Sequence, residues 1–260
     1  MCTECGCGLP GETTLDGVPL NHQDTHDHHH PSHDHQHHDS TKQGQREIKV
    51  IEDILHRNNH IAAHNREHLC ANNTFSMNWI SAPGSGKTSL LERIIKDYGS
   101  ELAISVIEGD QQTSNDADRI RNAGAEAIQI NTGSACHLDA EMIHQALQKI
   151  DLEKTGLLII ENVGNMVCPT AYDLGESLRL AVISTPEGED KPVKYPDLLL
   201  TSEVLLVNKI DLLSVLDFSL DECVNNAKKV NPSLQIFPVS AKTGEGLPEF
   251  ITWLKEKMEK

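Results

Sequence analysis

Ser81-Ala82-Pro83-Gly84-Ser85-Gly86-Lys87-Thr88 follows an extended apolar run, Phe75-Ser76-Met77-Asn78-Trp79-Ile80, and opens into a helical pattern carried by Leu90, Leu91, Ile94 and Ile95. A strand, a glycine-rich turn ending in Gly-Lys-Thr and a helix together predict a phosphate-binding loop. Gly84 and Gly86 let the backbone turn its N–H groups inward as an anion nest, and the helix N-terminus adds its positive end. Lys87 is expected to reach the outer phosphates and Thr88 to ligate Mg²⁺, with Ser85 and Ser89 flanking them in the nucleotide-binding stretch. The usual pattern opens with Gly; Ser81 stands there instead.

Working outward, apolar strand candidates fall at 102–107, 125–130, 157–160, 178–184, 204–207 and 234–239. Helical patterns fall near 115–123, 137–149, 219–231 and 246–258. This alternation predicts an α/β fold: a mostly parallel sheet with helices on both faces. Ligands then gather at the carboxyl ends of the strands. Glu108-Gly109-Asp110 ends one strand, and Asp110 is the favoured acid on the Mg²⁺ side, with Glu108 less certain in that role. Asp116, Asp118 and Arg119 belong either to a switch segment or to the start of a solvated helix. Glu161-Asn162-Val163-Gly164 ends another strand. There Gly164 can bring its N–H to a γ-phosphate and Glu161 can orient a metal-bound water.

Asn208-Lys209-Ile210-Asp211 supplies a base reader. Asp211 can accept the N1 and N2 hydrogens of guanine, a donor pair that adenine lacks. Ser240-Ala241-Lys242 is expected to offer backbone donors to the guanine oxygen. With the phosphate loop, these residues point to GTP rather than to an ATP-using kinase.

The first 45 residues have no helical or strand period and few large apolar residues, so they read as a disordered tail before a domain spanning 46–260. Cys2, Cys5 and Cys7 place three thiolates within six residues, and removal of Met1 would add an α-amine. Four such N/S donors suit square-planar Ni²⁺, while tetrahedral Zn²⁺ remains open. Nine histidines between His22 and His38, interleaved with Asp24, Asp27 and Asp34, read as a metal-buffering tract. The domain begins with a helical pattern over 46–71, on which His56, His60, His64 and His68 recur at i+4. That stripe is either a solvated face or a set of shared metal ligands. A further constellation, Cys136, His137 and Cys168, would tie a metal to the γ-phosphate sensor, because Cys168 lies four residues past Gly164. Cys70 and Cys223 fit helical patterns and read as packing residues.

The formal charge of -17 argues against nucleic-acid or anionic-membrane partners. No uncharged apolar run approaches the ~18 residues of a membrane span, and no signal peptide is evident. The chain therefore reads as cytosolic, where its seven cysteines suit thiol ligands or core positions better than disulfides.

Taken together, Cys2-x-x-Cys5-Gly6-Cys7-Gly8, Ser81–Thr88, Gly109-Asp110-Gln111-Gln112-Thr113, Cys136-His137-Leu138, Glu161–Asn165 with Cys168-Pro169, and Asn208-Lys209-x-Asp211 resemble the hydrogenase nickel-incorporation GTPases, the HypB family. The resemblance implies a GTPase that delivers Ni²⁺ to the large subunit of [NiFe] hydrogenase. It also implies GTP-dependent homodimerisation and partnership with a HypA-type, zinc-containing nickel chaperone. It carries Cys2, Cys5 and Cys7 over as a high-affinity nickel site, and Cys136, His137 and Cys168 as a Ni²⁺/Zn²⁺ site of the G domain. Rival readings are nickel storage through the His tract and delivery to urease; the related urease accessory GTPases lack the Cys2-Cys5-Cys7 peptide.

Overall fold

The computed structural model describes residues 13–19, 40–111 and 115–259, with side chains of the first helix described from Glu52 onward. Cys2, Cys5, Cys7 and the histidines of 22–38 lie outside the described residues.

Seven strands form the body of the sheet: β3 (Phe75–Ser81), β4 (Ile104–Asp110), β5 (Glu126–Asn131), β6 (Leu157–Glu161), β7 (Leu178–Ser184), β8 (Val204–Asn208) and β9 (Gln235–Pro238). Two short strands, β1 (Thr14–Leu15) and β2 (Val18–Pro19), complete the order β2-β1-β5-β4-β6-β3-β7-β8-β9. From β5 to β9 every pairing is parallel. β3, β6 and β8 are buried almost throughout, as strands covered on both faces must be.

The first helix, α1 (Ser40–Ala71), precedes β3 and starts earlier than the expected 46. α2 (Lys87–Leu102), α3 (Asn115–Ala123), α4 (Ala140–Leu147), α5 (Lys191–Lys194), α6 (Pro196–Leu200), α7 (Leu220–Val230) and α8 (Leu247–Met258) follow. Alternate strand residues face opposite layers. Met77, Trp79, Leu157 and Ile159 pack under α2, α3 and α8, whereas Leu158 and Ile160 pack under α1 and α4. Ile80, Ala181 and Ile183 meet α6 and α7. Cys223 on α7 is fully buried, as expected of a packing residue, and burial pushes its thiol up to about 12. Cys70 is exposed, so its packing role does not hold.

The reading of residues 1–45 as a tail without structure is corrected at 13–19. Leu15-Asp16-Gly17-Val18 is a tight hairpin with positive φ at both Asp16 (49°) and Gly17 (79°), the turn in which Asp-Gly is favoured. β1 pairs antiparallel with the edge of β5, and Leu15 is buried beneath it. Asp16 Oδ1 accepts from the Gln129 N–H and from Arg121. The Asp-Gly signal was present, but two-residue strands carry too little periodicity to be seen. α5 and α6 were also unforeseen, since their prolines, Pro192 and Pro196, sit in first turns, where a missing N–H costs nothing.

Among the described residues no helix is long and apolar enough to cross a membrane.

Candidate functional site

The loop after β3 turns at Gly84 and Gly86, whose φ values are 76° and 90°, so each sits where side chains strain the backbone. At Gly86 the space is also closed: a Cβ there would lie 2.6 Å from Asn208 Nδ2. Asn208 Nδ2 donates to Ser85 O at 2.8 Å, and Lys209 Nζ donates to Gly84 O at 2.6 Å. The end of β8, with Lys209 after it, thus holds the phosphate loop in shape.

Two cavities meet there. One, of about 590 Å³, is lined by the phosphate loop, Glu108, Asp110, Asp116, Arg119, Glu161 and Gly164. The other, of about 580 Å³, lies between α2 and Asn208, Lys209, Asp211, Ala241 and Lys242. Gly86, Ser89 and Lys209 line both, as one ligand with a phosphate end and a base end requires. Asp211 Oδ1 accepts from Ser240 Oγ at 2.6 Å, which aims the carboxylate. The Ala241 N–H, expected to face guanine, donates here to Asn208 Oδ1 at 3.1 Å.

In the phosphate cavity, Thr88 Oγ1 donates to Glu161 Oε1 at 2.8 Å and Lys87 Nζ lies 3.3 Å from the same oxygen. Glu161 Oε2 and Glu108 Oε2 are buried without hydrogen-bond partners. Oxygens of Glu108, Asp110 and Asp116 lie within 4.8 Å of one another, so Asp116 joins the two acids already expected there. Buried carboxylate oxygens beside a hydroxyl are the donor set a hard divalent cation takes, so the residues fit Mg²⁺. Arg119 lines the cavity, donating to Asp116 at 2.8 Å, to Glu92 at 2.6 Å and to Ser89 at 3.2 Å. Sequence reasoning left Arg119 undecided; its i+3 spacing from Asp116 on α3 was the available signal.

Burial, reinforced by the charges of Glu161, Asp110 and Asp116, pushes the Glu108 carboxyl up to about 9 from an ordinary 4.5. The folded protein then holds this proton more tightly than the unfolded chain. The associated stability is complete below the unfolded value and lost as pH rises through the folded one. The contribution of this group to the thermal midpoint of metal-free protein should accordingly fall from about pH 4.5 to about 9, and Glu108→Gln should flatten that fall. An unchanged slope in Glu108→Gln would refute the assignment.

The second constellation sits one layer out. Leu138 is fully buried against Gly109, where a Cβ would lie 2.8 Å from its side chain, so the Cys136-His137-Leu138 loop rests directly on the acid-bearing strand end. Cys136 Sγ and His137 Nδ1 are 3.7 Å apart, and Tyr172 stacks on His137 with ring centroids 3.9 Å apart. Burial outweighs the pull of Asp139 and lowers the His137 pKa, favouring the neutral imidazole that ligates metals. Cys168 opens the short turn Cys168–Ala171. Among the described residues, Cys136, His137 and Cys168 do not form a three-ligand set within 4.8 Å.

Asn162 joins these parts. Its Oδ1 accepts from the Leu138 N–H at 3.2 Å, and its Nδ2 donates to Asn78 Oδ1 at 3.2 Å. Asn78 donates to Glu176, which pairs with Arg179, and Arg179 donates to the carbonyls of Thr170 and Tyr172. Asn165 Nδ2 also donates to Cys136 O at 3.3 Å. Gly164 packs against Pro83 of the phosphate loop, where a Cβ would come within 3.3 Å.

The fold and the paired cavities define a P-loop nucleotide-binding protein. Residues 78–238 match the family described as CobW/HypB/UreG, nucleotide-binding domain. The hydrogenase maturation factor HypB of Rhizobium leguminosarum bv. viciae is 55% identical over 211 residues, 81% of this chain and 71% of that protein. The hydrogenase/urease maturation factor HypB of Helicobacter pylori J99 is 40% identical over 217 residues, 82% of this chain and 89% of that one. The crystal structure of Helicobacter pylori HypB in complex with nickel superposes with a TM-score of 0.75 at 39% identity, covering 78% of this chain and 95% of that one. The chain belongs to the HypB family of hydrogenase maturation factors.

Proposed function

We propose that this chain is a GTP-hydrolysing nickel metallochaperone of the cytosol that hands Ni²⁺ to the large subunit of [NiFe] hydrogenase. The observation that carries the reading is Asn162: next to Glu161, it accepts from the Leu138 N–H of the Cys136-His137 loop and donates to Asn78, from which Glu176 and Arg179 lead on to the Thr170 carbonyl in the turn that begins at Cys168. Lys87 and the N–H groups of residues 84–88 bind the phosphates, Gly164 senses the γ-phosphate, and Asp211 selects guanine. Thr88 and Asp110, with Glu161 through water, would hold Mg²⁺, which when bound offsets charge on the phosphates. Movement of the segment after Gly164 on hydrolysis shifts Asn162 and Asn165, and with them the Cys136 loop. Nickel is released only if it prefers one nucleotide state over the other.

Cys136, His137 and Cys168 then receive Ni²⁺ or Zn²⁺ across a GTP-dependent homodimer. Val167, 58% exposed beside Cys168, is the apolar residue a second copy would cover. Cys2, Cys5 and Cys7 form the high-affinity nickel site, loaded or unloaded with a HypA-type chaperone. The name of the Helicobacter pylori relative favours a second reading, in which the acceptor is urease.

The test keeps the hairpin of residues 13–19, changes Cys2, Cys5 and Cys7 to Ser and deletes residues 22–38. Nickel affinity should then differ about tenfold or more, equivalent to about 1.4 kcal/mol, between GDP and a non-hydrolysable GTP analogue. Asn162→Ala should erase the difference. Equal affinities in the two states would end the coupling proposal. Nickel transfer that survives Lys87→Ala but not deletion of 22–38 would favour storage by the tract instead.

A further inference from the structure

The outer face of α1 carries groups that neither the nucleotide site nor the core uses. Asn58, Ala62, Asn65 and Leu69 form its buried edge. Successive helical residues are rotated by about 100°, so Asp53, His56, His60, His64 and Glu67 all fall within a sector of about 80° on the opposite side. All five are exposed. The His60 and His64 rings lie with centroids 4.8 Å apart, and His64 Nδ1 is 3.7 Å from Glu67 Oε2.

An exposed face that needed only solubility would be filled by Lys, Glu or Gln, which favour helix more than His does. Histidines four apart on a helix instead can point two ring nitrogens at one ion. Imidazole suits the borderline first-row divalent ions Ni²⁺, Zn²⁺ and Cu²⁺. We propose that His60 and His64, as a pair four residues apart, hold such a cation on the surface of α1, and that His56 provides an overlapping second pair with His60; among the described residues no third side chain completes with either pair a set of ligand atoms within 4.8 Å of one another.

The position has meaning within the fold. On its buried side the same helix grips both ends of the Cys136–Tyr172 region: Asn58 Oδ1 accepts from the Ala140 N–H, and Arg66 pairs with Asp173 at 2.7 Å. A cation on the outer face of α1 is thus held on the element that buttresses the inner Cys-His loop. The site does not rest on the nucleotide-coupled reading, and its test contains no nucleotide.

The experiment treats the full chain with diethyl pyrocarbonate, which acylates unligated imidazole nitrogen, with and without Ni²⁺, and maps each histidine by peptide mass spectrometry. At about ten times the dissociation constant, the unligated fraction of His60 and His64, and hence their modification rate, should fall about tenfold. In H56Q/H64Q, His60 has no partner four residues away, so its protection should disappear. All substituted residues are exposed, so the fold is not at stake. Protection confined to the histidines of 22–38, with His60 as reactive as in metal-free protein, would overturn the proposal. Protection of His60 that persists in H56Q/H64Q would overturn it too, since the ligands would then come from elsewhere.

Discussion

Asp211→Asn should lower GTP affinity by about 10³-fold or more, corresponding to about 4 kcal/mol, and should redirect the site toward xanthosine triphosphate. Guanine offers two adjacent donors, N1–H and the N2 amine, and a carboxylate accepts both. Asparagine keeps one acceptor but replaces the other with a donor, which meets the N2 amine as a like group. Xanthine retains N1–H and carries a carbonyl at C2, so it matches the asparagine edge. The structure favours a clean exchange. Asp211 is only 13% exposed, and Ser240 Oγ donates to its Oδ1 at 2.6 Å, a bond an amide oxygen also accepts. Lys242, 4.0 Å from the other carboxylate oxygen, is 81% exposed and adds little. Equilibrium binding of both nucleotides to wild type and variant checks the exchange. Weaker GTP binding with no gain for xanthosine triphosphate would mean that Asp211 shapes the loop without reading the base.

The second large effect is expected at Lys87, and it has two separable parts. Lys87→Ala should reduce hydrolysis by about 10²–10³-fold, the scale of losing one preorganised charge donor at a reacting oxygen. It should also destabilise the nucleotide-free protein. Lys87 and Glu161 are 10% and 2% exposed, with Lys87 Nζ 3.3 Å from Glu161 Oε1; that oxygen also accepts from Thr88, while Oε2 is buried with no hydrogen-bond partner. Removing the lysine leaves a buried carboxylate without its counter-charge, at a cost of about 3 kcal/mol. For a domain of this size that lowers the thermal midpoint by about 6–12 °C. The double variant K87A/E161Q, with no buried charge, should recover most of the stability and none of the hydrolysis. Calorimetry and phosphate release on the same samples decide the matter. If K87A/E161Q is as unstable as Lys87→Ala, the pair is not the source of the loss.

How far the sequence reached differs from one element to another. β7 and α3 occupy the expected residues, because a continuous apolar strand and an acidic-first, basic-last helix announce themselves locally. The phosphate loop and Asn208–Asp211 were equally legible, since their chemistry requires particular residue types at fixed spacing. The hairpin of residues 13–19 was not, because its one buried apolar residue, Leu15, packs with Ile128 and Ile130 of a strand more than a hundred residues away, which no local pattern reveals. Arg119 and Asp116 were ambiguous for a related reason. An Asp-x-x-Arg pair at the start of a helix looks the same whether it faces water or a phosphate cavity.

By itself, then, the sequence determined the sheet class, the nucleotide chemistry and the candidate thiol and imidazole ligands, all of which follow from short-range pattern. Only the tertiary structure decided how they connect. Asn162 reaches Leu138 across 24 residues of chain and Asn78 across 84, and Asn208 spans 123 to brace Ser85. The physical reason is that parallel strands bring distant segments side by side, so buried polar side chains must find their partners across the sheet rather than along the chain.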